Sequence, residues 1–250
     1  MALFHIRYYS ELNSYDTDMD VILPENRKTC PVLYLLHDLG GNQTSWQRHT
    51  SIERYALEKG IAVVMPSGLD RWYTDVSLAG GFFDNYHRFF VYELISICRS
   101  FFPQFSSNPR ECFIGGAGMG GYGALKLALL HPDVYGAAIS IDGYTDIVKK
   151  IEKAKDTDEE VWLTDVFGDP QKVPGSDNNL FALAEKEKKG VQFFLVSGSK
   201  NARFAENQAL AEVLQKKGTS VNFTAYSQET SWQVWDGQIE EAIRRLPYNN

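Results

Sequence analysis

With 250 residues, 44% of them hydrophobic and 23% charged, the chain has the make-up of a soluble globular protein with ample material for a core. Its formal net charge of −7 argues against nucleic acid or an anionic membrane as a partner. No apolar run approaches the roughly 18 residues of a membrane span. The start, MALFHIRYYSEL, lacks a basic segment followed by a long apolar one, so no signal peptide is expected. Three cysteines (Cys30, Cys98 and Cys112) without metal-type spacing read as reduced thiols of a cytoplasmic protein.

In chain order, Phe4, Ile6 and Tyr8 alternate with His5, Arg7 and Tyr9, and Met19, Val21 and Leu23 alternate with Asp18, Asp20 and Ile22. Both runs have period 2 and predict half-exposed antiparallel strands at one sheet edge. Val32 to Leu36 is continuously apolar, as in a strand buried on both faces, and ends in the glycine-rich His37-Asp38-Leu39-Gly40-Gly41. Thr50 and Glu53 have the spacing of a capping box for a helix that Gly60 ends. Ile61 to Met65 is the next buried strand, and residues 67–84 are expected to be a long loop carrying Trp72-Tyr73-Thr74-Asp75. Phe90, Leu94, Ile97, Cys98 and Phe101 fall at helical spacing.

Residues 112–114 lead as a strand into FIGGAGMGGYGA, from which a helix runs on to Leu130. Strands follow at Ala137 to Ile141, Val191 to Val196 and Val221 to Tyr226, and helices around Leu210 and from Trp235 to Leu246. Residues 145–190 change character and read as a cap-like insertion folded over the strand ends, within a single domain spanning residues 1–250. Strands alternating with helices predict an α/β fold with a mostly parallel sheet and helices on both faces. In such a sheet the loops after Leu36, Met65, Gly115, Ile141 and Val196 converge on one pocket.

The strand–glycine turn–helix at 113–124 allows two chemistries. Gly116, Gly118 and Gly121 match G-x-G-x-x-G, which seats a pyrophosphate at a helix N-terminus, and Asp142 ends the following strand about where a ribose-binding acid would stand. Against this, three strands precede the turn, whereas that fingerprint usually opens its domain. Gly116 and Gly120 also match the outer glycines of G-x-S-x-G, the turn that raises a serine nucleophile, with Gly118 at the centre.

The segments PVLYLLHDLGGNQTSW, SIERYALEKGIAVVMPSG, RWYTD, FIGGAGMGGYGALKLALLHP and WQVWDGQIEEAIRRLP together resemble the esterase D and S-formylglutathione hydrolase-like family, and within it the bacterial tributyrin or acetyl esterases. The likeness runs from about residue 3 to residue 247 and is weakest over 145–185. It implies an α/β-hydrolase fold and hydrolysis of short acyl esters or thioesters by a Ser-Asp-His triad, with no metal and no cofactor.

Carried over position by position, the nucleophile falls on Gly118, the acid on Asn201 and the base on Thr230. The oxyanion hole falls on the backbone N–H groups of Leu39 and Met119. His37, Asp38, Trp72, Tyr73 and Asp75 are expected to line the pocket. Asp38 replaces a glycine of the family's H-G-x-G-G loop; its carboxylate either repels an oxyanion there or, as the preferred expectation, points to solvent.

Two facts stand without the resemblance. The five histidines are His5, His37, His49, His87 and His131, so none occupies the C-terminal base position of this fold, and no G-x-S-x-G occurs anywhere. Glycine cannot attack, asparagine is neutral, and threonine is no base near neutral pH. The expected function is a catalytically degenerate homologue of a short-chain carboxylesterase with a ligand-binding or partner role, alone or as a homo-oligomer. The alternatives are a residual or rewired ester hydrolase and, more distantly, a dinucleotide-binding protein.

Overall fold

The computed structural model describes residues 1–25, 27–77, 83–186 and 190–248. Among them, eight strands form one sheet. The edge pair is β1 (Ala2–Ser10) and β2 (Tyr15–Leu23), antiparallel to each other, and β2 is antiparallel to β4 (Ala62–Pro66). From β4 inward all pairings are parallel: β3 (Val32–Leu36), β7 (Cys112–Ala117), β8 (Ala137–Ile141), β9 (Gln192–Gly198) and β10 (Ser220–Tyr226). The order across the sheet is β1-β2-β4-β3-β7-β8-β9-β10. Two short strands, β5 (Asp75–Ser77) and β6 (Phe83–Asn85), pair as a separate hairpin inside the segment read from sequence as a loop. Residues 78–82 of that segment lie outside the described residues.

Helices cover both faces because the inner strands are apolar on both. On one face α1 (Ser45–His49), α2 (Ile52–Lys59) and α10 (Trp232–Arg245) bury Trp46, Ile52, Tyr55, Trp235, Ile239 and Ile243 against Leu33, Leu35, Phe113 and Ile139. On the other lie α4 (Leu94–Phe101), α5 (Met119–Leu130) and α9 (Phe204–Lys216). A short α3 (Tyr86–Arg88) leads into α4 through a π turn, Phe89–Glu93, so the predicted helix carries an extra residue per turn at its start. The Glu93 carboxylate set there accepts from Ser10 Oγ and from the amides of Glu11 and Leu12, tying down the β1–β2 turn.

The residues after β8 form α6 (Ile147–Ala154), α7 (Asp158–Phe167) and α8 (Leu180–Ala184) before β9 begins. Their side chains Ile147, Leu163, Val166 and Leu180 belong to the same buried cluster as the sheet residues Val32, Tyr34 and Ile114. Residues 187–189 of the proposed insertion lie outside the described residues.

One local expectation fails. Thr50 and Glu53 do not form a capping box: Ser51 is the N-cap of α2 and makes no side-chain cap bond. Thr50 instead closes α1, and both its amide and its hydroxyl donate to the Trp46 carbonyl. A hydroxyl already committed to the preceding helix cannot serve the next one. The other end of α2 is as predicted, with Gly60 in the left-handed region at φ 72°.

Candidate functional site

Strand order reverses beside β3: β4 follows it in sequence on one side and β7 packs on the other. A sheet leaves a crevice outside the strand ends at such a point. The loop after β3 (His37, Asp38, Leu39) and the turn after β7 (Gly118) meet there.

The turn is tight because β7 doubles back into α5 within one residue. A Cβ on Gly116 would lie 2.5 Å from the Gly120 carbonyl carbon, and one on Gly120 would lie 2.5 Å from the Leu36 carbonyl oxygen. The outer glycines of the motif are therefore imposed by backbone packed against backbone. Gly118 itself stands at φ 52°, ψ −115°, a conformation that strains any residue with a side chain. Its amide donates to the Ile141 carbonyl at 3.0 Å, and its carbonyl accepts from Tyr122 and Tyr144.

Asp38 does not point to solvent. Its Oδ1 accepts the Met119 amide at 2.7 Å, at the first residue of α5. The carboxylate fills the volume beside Gly118 that a side chain there would need. The sequence reading missed this because nothing local aims the side chain; the target lies 81 positions away. Burial pushes the Asp38 carboxyl up from the ordinary range, opposed by the Met119 and Leu39 amides and by the positive charge of Arg203. The two amides expected to form an oxyanion hole thus face a carboxylate of the same chain.

His37 is buried and its ring is used internally. Nε2 accepts the Gly68 amide at 2.9 Å, which leaves the proton on Nδ1, donated to the Asp38 carbonyl at 2.7 Å. Burial lowers its pKa, so it stays neutral near pH 7. Trp72 and Tyr73 are fully buried and stand in succession at φ 53° and 52°, a strained pair held by packing. The Tyr73 hydroxyl donates to the His37 carbonyl, and Trp72 meets Tyr122, Tyr144, Trp162 and Phe167. Asp75 is exposed and accepts the Arg88 amide. The open cleft at these strand ends, about 380 Å³, is lined by Gly40, Gly41, Leu69, Asp70, Arg71 and Trp162.

Asn201 and Thr230 are brought together: Asn201 Nδ2 donates to Thr230 Oγ1 at 2.9 Å. Beside them lies a group whose role sequence reasoning did not find. Asp142 follows the last residue of β8 at φ 47° and is fully buried. Its Oδ1 accepts from Ser197 Oγ at 3.0 Å and from the Gly198 amide at 2.9 Å. Its Oδ2 accepts from Trp235 Nε1 at 2.9 Å, from Thr230 Oγ1 at 3.4 Å and from the Tyr226 hydroxyl in a short bond. Burial, with the Asp142 carboxylate behind it, pushes the Tyr226 hydroxyl up to about 12. Arg203 caps the cluster, with Nε on the Asp142 carbonyl at 3.0 Å and its guanidinium 4.0 Å over the Tyr144 ring. Both Asp142 oxygens are thus taken up inside the protein, and neither faces a ribose. Trp232 packs between His49, Trp46 and Trp235.

A second buried charge ties the insertion to the core. Lys126 on α5 donates to Thr74 Oγ1 at 2.5 Å and to Asn178 Oδ1 at 2.6 Å, and burial lowers its pKa to about 7. His87 pairs with His131, Nε2 to Nε2 at 2.7 Å. Burial, Lys126 and His131 together lower its pKa to about 3. Among the described residues no cluster of three or more His, Cys, Asp or Glu could hold a metal ion, and no helix is long and apolar enough to cross a membrane.

A mostly parallel eight-stranded sheet with helices on both faces and a sharp strand-to-helix turn at its centre is the arrangement of the α/β-hydrolase fold. Solved structures agree. A substrate-bound fluorophosphonate-binding serine hydrolase F of Staphylococcus aureus superposes with a TM-score of 0.86 at 22% identity, covering 99% of both chains. The S-formylglutathione hydrolase of the same organism gives 0.84 at 24% identity, covering 98% of this chain and 99% of its own. An acetyl esterase of Caldicellulosiruptor saccharolyticus is 29% identical over 265 aligned positions, 97% of each chain. Residues 10–246 match the family model described as "Putative esterase", and the chain belongs to that esterase family.

Proposed function

We propose that this chain is a catalytically degenerate member of its esterase family, keeping the hydrolase scaffold for a ligand-binding or partner role and not for acyl transfer. The observation that carries this reading is the occupancy of the turn. Gly118 presents no nucleophile, and a carboxylate takes up the space in front of it. Serine-based acyl transfer needs a hydroxyl, an imidazole to take its proton and an acid to hold the imidazole. At the positions the family resemblance assigns to base and acid, Thr230 and Asn201 bond to each other. A threonine hydroxyl gains no basicity from a neutral amide. Loss of even one such group removes several powers of ten in rate.

The cleft beside the loop after β3, lined by Leu69, Asp70, Arg71 and Trp162, is where this reading places a small ligand. Family membership and the names of its relatives favour a second reading, a rewired hydrolase of short acyl esters or thioesters. The test is p-nitrophenyl acetate hydrolysis together with covalent labelling by a fluorophosphonate. The degenerate reading expects background turnover and no adduct on the intact chain. Turnover that co-purifies with the protein, or a stoichiometric adduct, overturns it and selects the second reading.

A further inference from the structure

Asp38 and any side chain at position 118 compete for one volume. A Cβ placed on Gly118 would lie 2.1 Å from Asp38 Oδ1, 2.3 Å from Cγ and 2.4 Å from Oδ2, far inside contact distance. The same Oδ1 accepts the Met119 amide, the leading donor of the twelve-residue helix α5. A helix N-terminus carries unpaired N–H groups and the positive end of the helix dipole, and it favours an anion. Here the anion is supplied by the chain itself, and the Leu39 amide and Arg203 also favour its charged form.

We propose that Asp38 is an intramolecular plug: a tethered carboxylate that holds the anion position at the N-terminus of α5, excludes a side chain at 118, and keeps small carboxylates and ester carbonyls of the solvent out. The proposal rests on the reading of this turn as a former acyl site, and adds a reason for inactivity independent of the missing base. A carboxylate held on a short tether acts at an effective concentration of millimolar or more. A free monocarboxylate meeting the same two amides and Arg203 must displace it first. With Asp38 removed, the position opens both to a residue at 118 and to a small monocarboxylate from solution.

The experiment is a double-mutant cycle on Asp38→Gly and Gly118→Ser, read by thermal unfolding, with formate as the anion probe against chloride at equal ionic strength. Gly118→Ser should lower Tm more in the wild-type background than in Asp38→Gly, where only the strain of the positive φ remains. Equal losses in the two backgrounds overturn the plug. Formate should raise the Tm of Asp38→Gly saturably and bind the wild type roughly tenfold or more less well. An equal response of the two proteins, or none in Asp38→Gly, overturns the anion site. Asp38→Asn keeps the shape and an acceptor oxygen for Met119, so it should fold and still exclude formate; formate binding to it as tight as to Asp38→Gly also counts against the plug. None of these readouts needs turnover. Ester hydrolysis elsewhere on the chain would defeat the proposed function and leave the cycle unchanged, whereas an additive cycle would defeat the plug and restore no base.

Discussion

Replacing Asp142 by alanine tests whether the buried carboxylate organises the ends of β8, β9 and β10. Asp142 is fully buried, and its carboxylate accepts from Ser197 Oγ, the Gly198 amide, Trp235 Nε1, Thr230 Oγ1 and the Tyr226 hydroxyl. Hydrogen bonds to a charged acceptor each contribute about 1.5–3 kcal/mol, and a buried donor left without a partner costs about 1–3 kcal/mol. The Ser197 hydroxyl can turn to another acceptor, and Thr230 is exposed and regains water. The Gly198 amide and the Trp235 indole have fixed directions and lose their acceptor outright. Two such orphans, with partial relief from water entering the space, place the loss at roughly 3–5 kcal/mol. For a domain of this size about 2–4 °C accompany each kcal/mol, so Tm should fall by about 6–20 °C. Circular dichroism melts and urea titrations of the two proteins measure it. Asp142→Asn should fall between them, because its oxygen can still serve Ser197 and Gly198 while its NH2 faces the Trp235 donor. A loss below about 1 kcal/mol for Asp142→Ala would show that the cluster re-forms without its acceptor, and would refute the reasoning.

Lys126 predicts a pH dependence. Its folded pKa of about 7 lies below the ordinary 10.5, so between these values the unfolded chain binds the extra proton and stability rises with pH. The slope of Tm from pH 7 to 9.5 should be positive and should flatten in Lys126→Met; an unchanged slope would contradict the assignment. Cys30, Cys98 and Cys112 are all buried, and burial pushes Cys30 up to about 11 and Cys112 up to about 12. Ellman's reagent should therefore find no fast-reacting thiol in the native protein and three in guanidinium, and one reacting promptly in buffer would show an opening that the packing does not contain.

The backbone plan was legible from hydrophobic periodicity. Val32 to Leu36 and Ala137 to Ile141 begin and end where the apolar runs do, because a strand buried on both faces is built mainly from apolar side chains, Ser140 being the polar exception. The alternating β1 lies half-exposed at the sheet edge as its pattern requires, whereas β2 is paired on both sides and is buried on both faces from Met19 to Ile22. Failures occurred where a side chain had a choice of partner. Thr50 has the spacing to cap α2 but serves α1. Residues 67–84 showed no period, so the β5–β6 hairpin was invisible.

By itself the sequence determined the class of sheet, the turn at Gly118, and the lack of any histidine beyond His131. These are matters of local period and of which atoms the chain possesses, so no folding was needed to read them. Only the tertiary structure decided that Asp38 turns inward onto the Met119 amide, and that Asp142 gathers Ser197, Tyr226 and Trp235. A carboxylate goes where donors and positive charge are concentrated. Those donors come from segments 55 to 93 positions away, which meet at one crevice only once the strand order has been laid down.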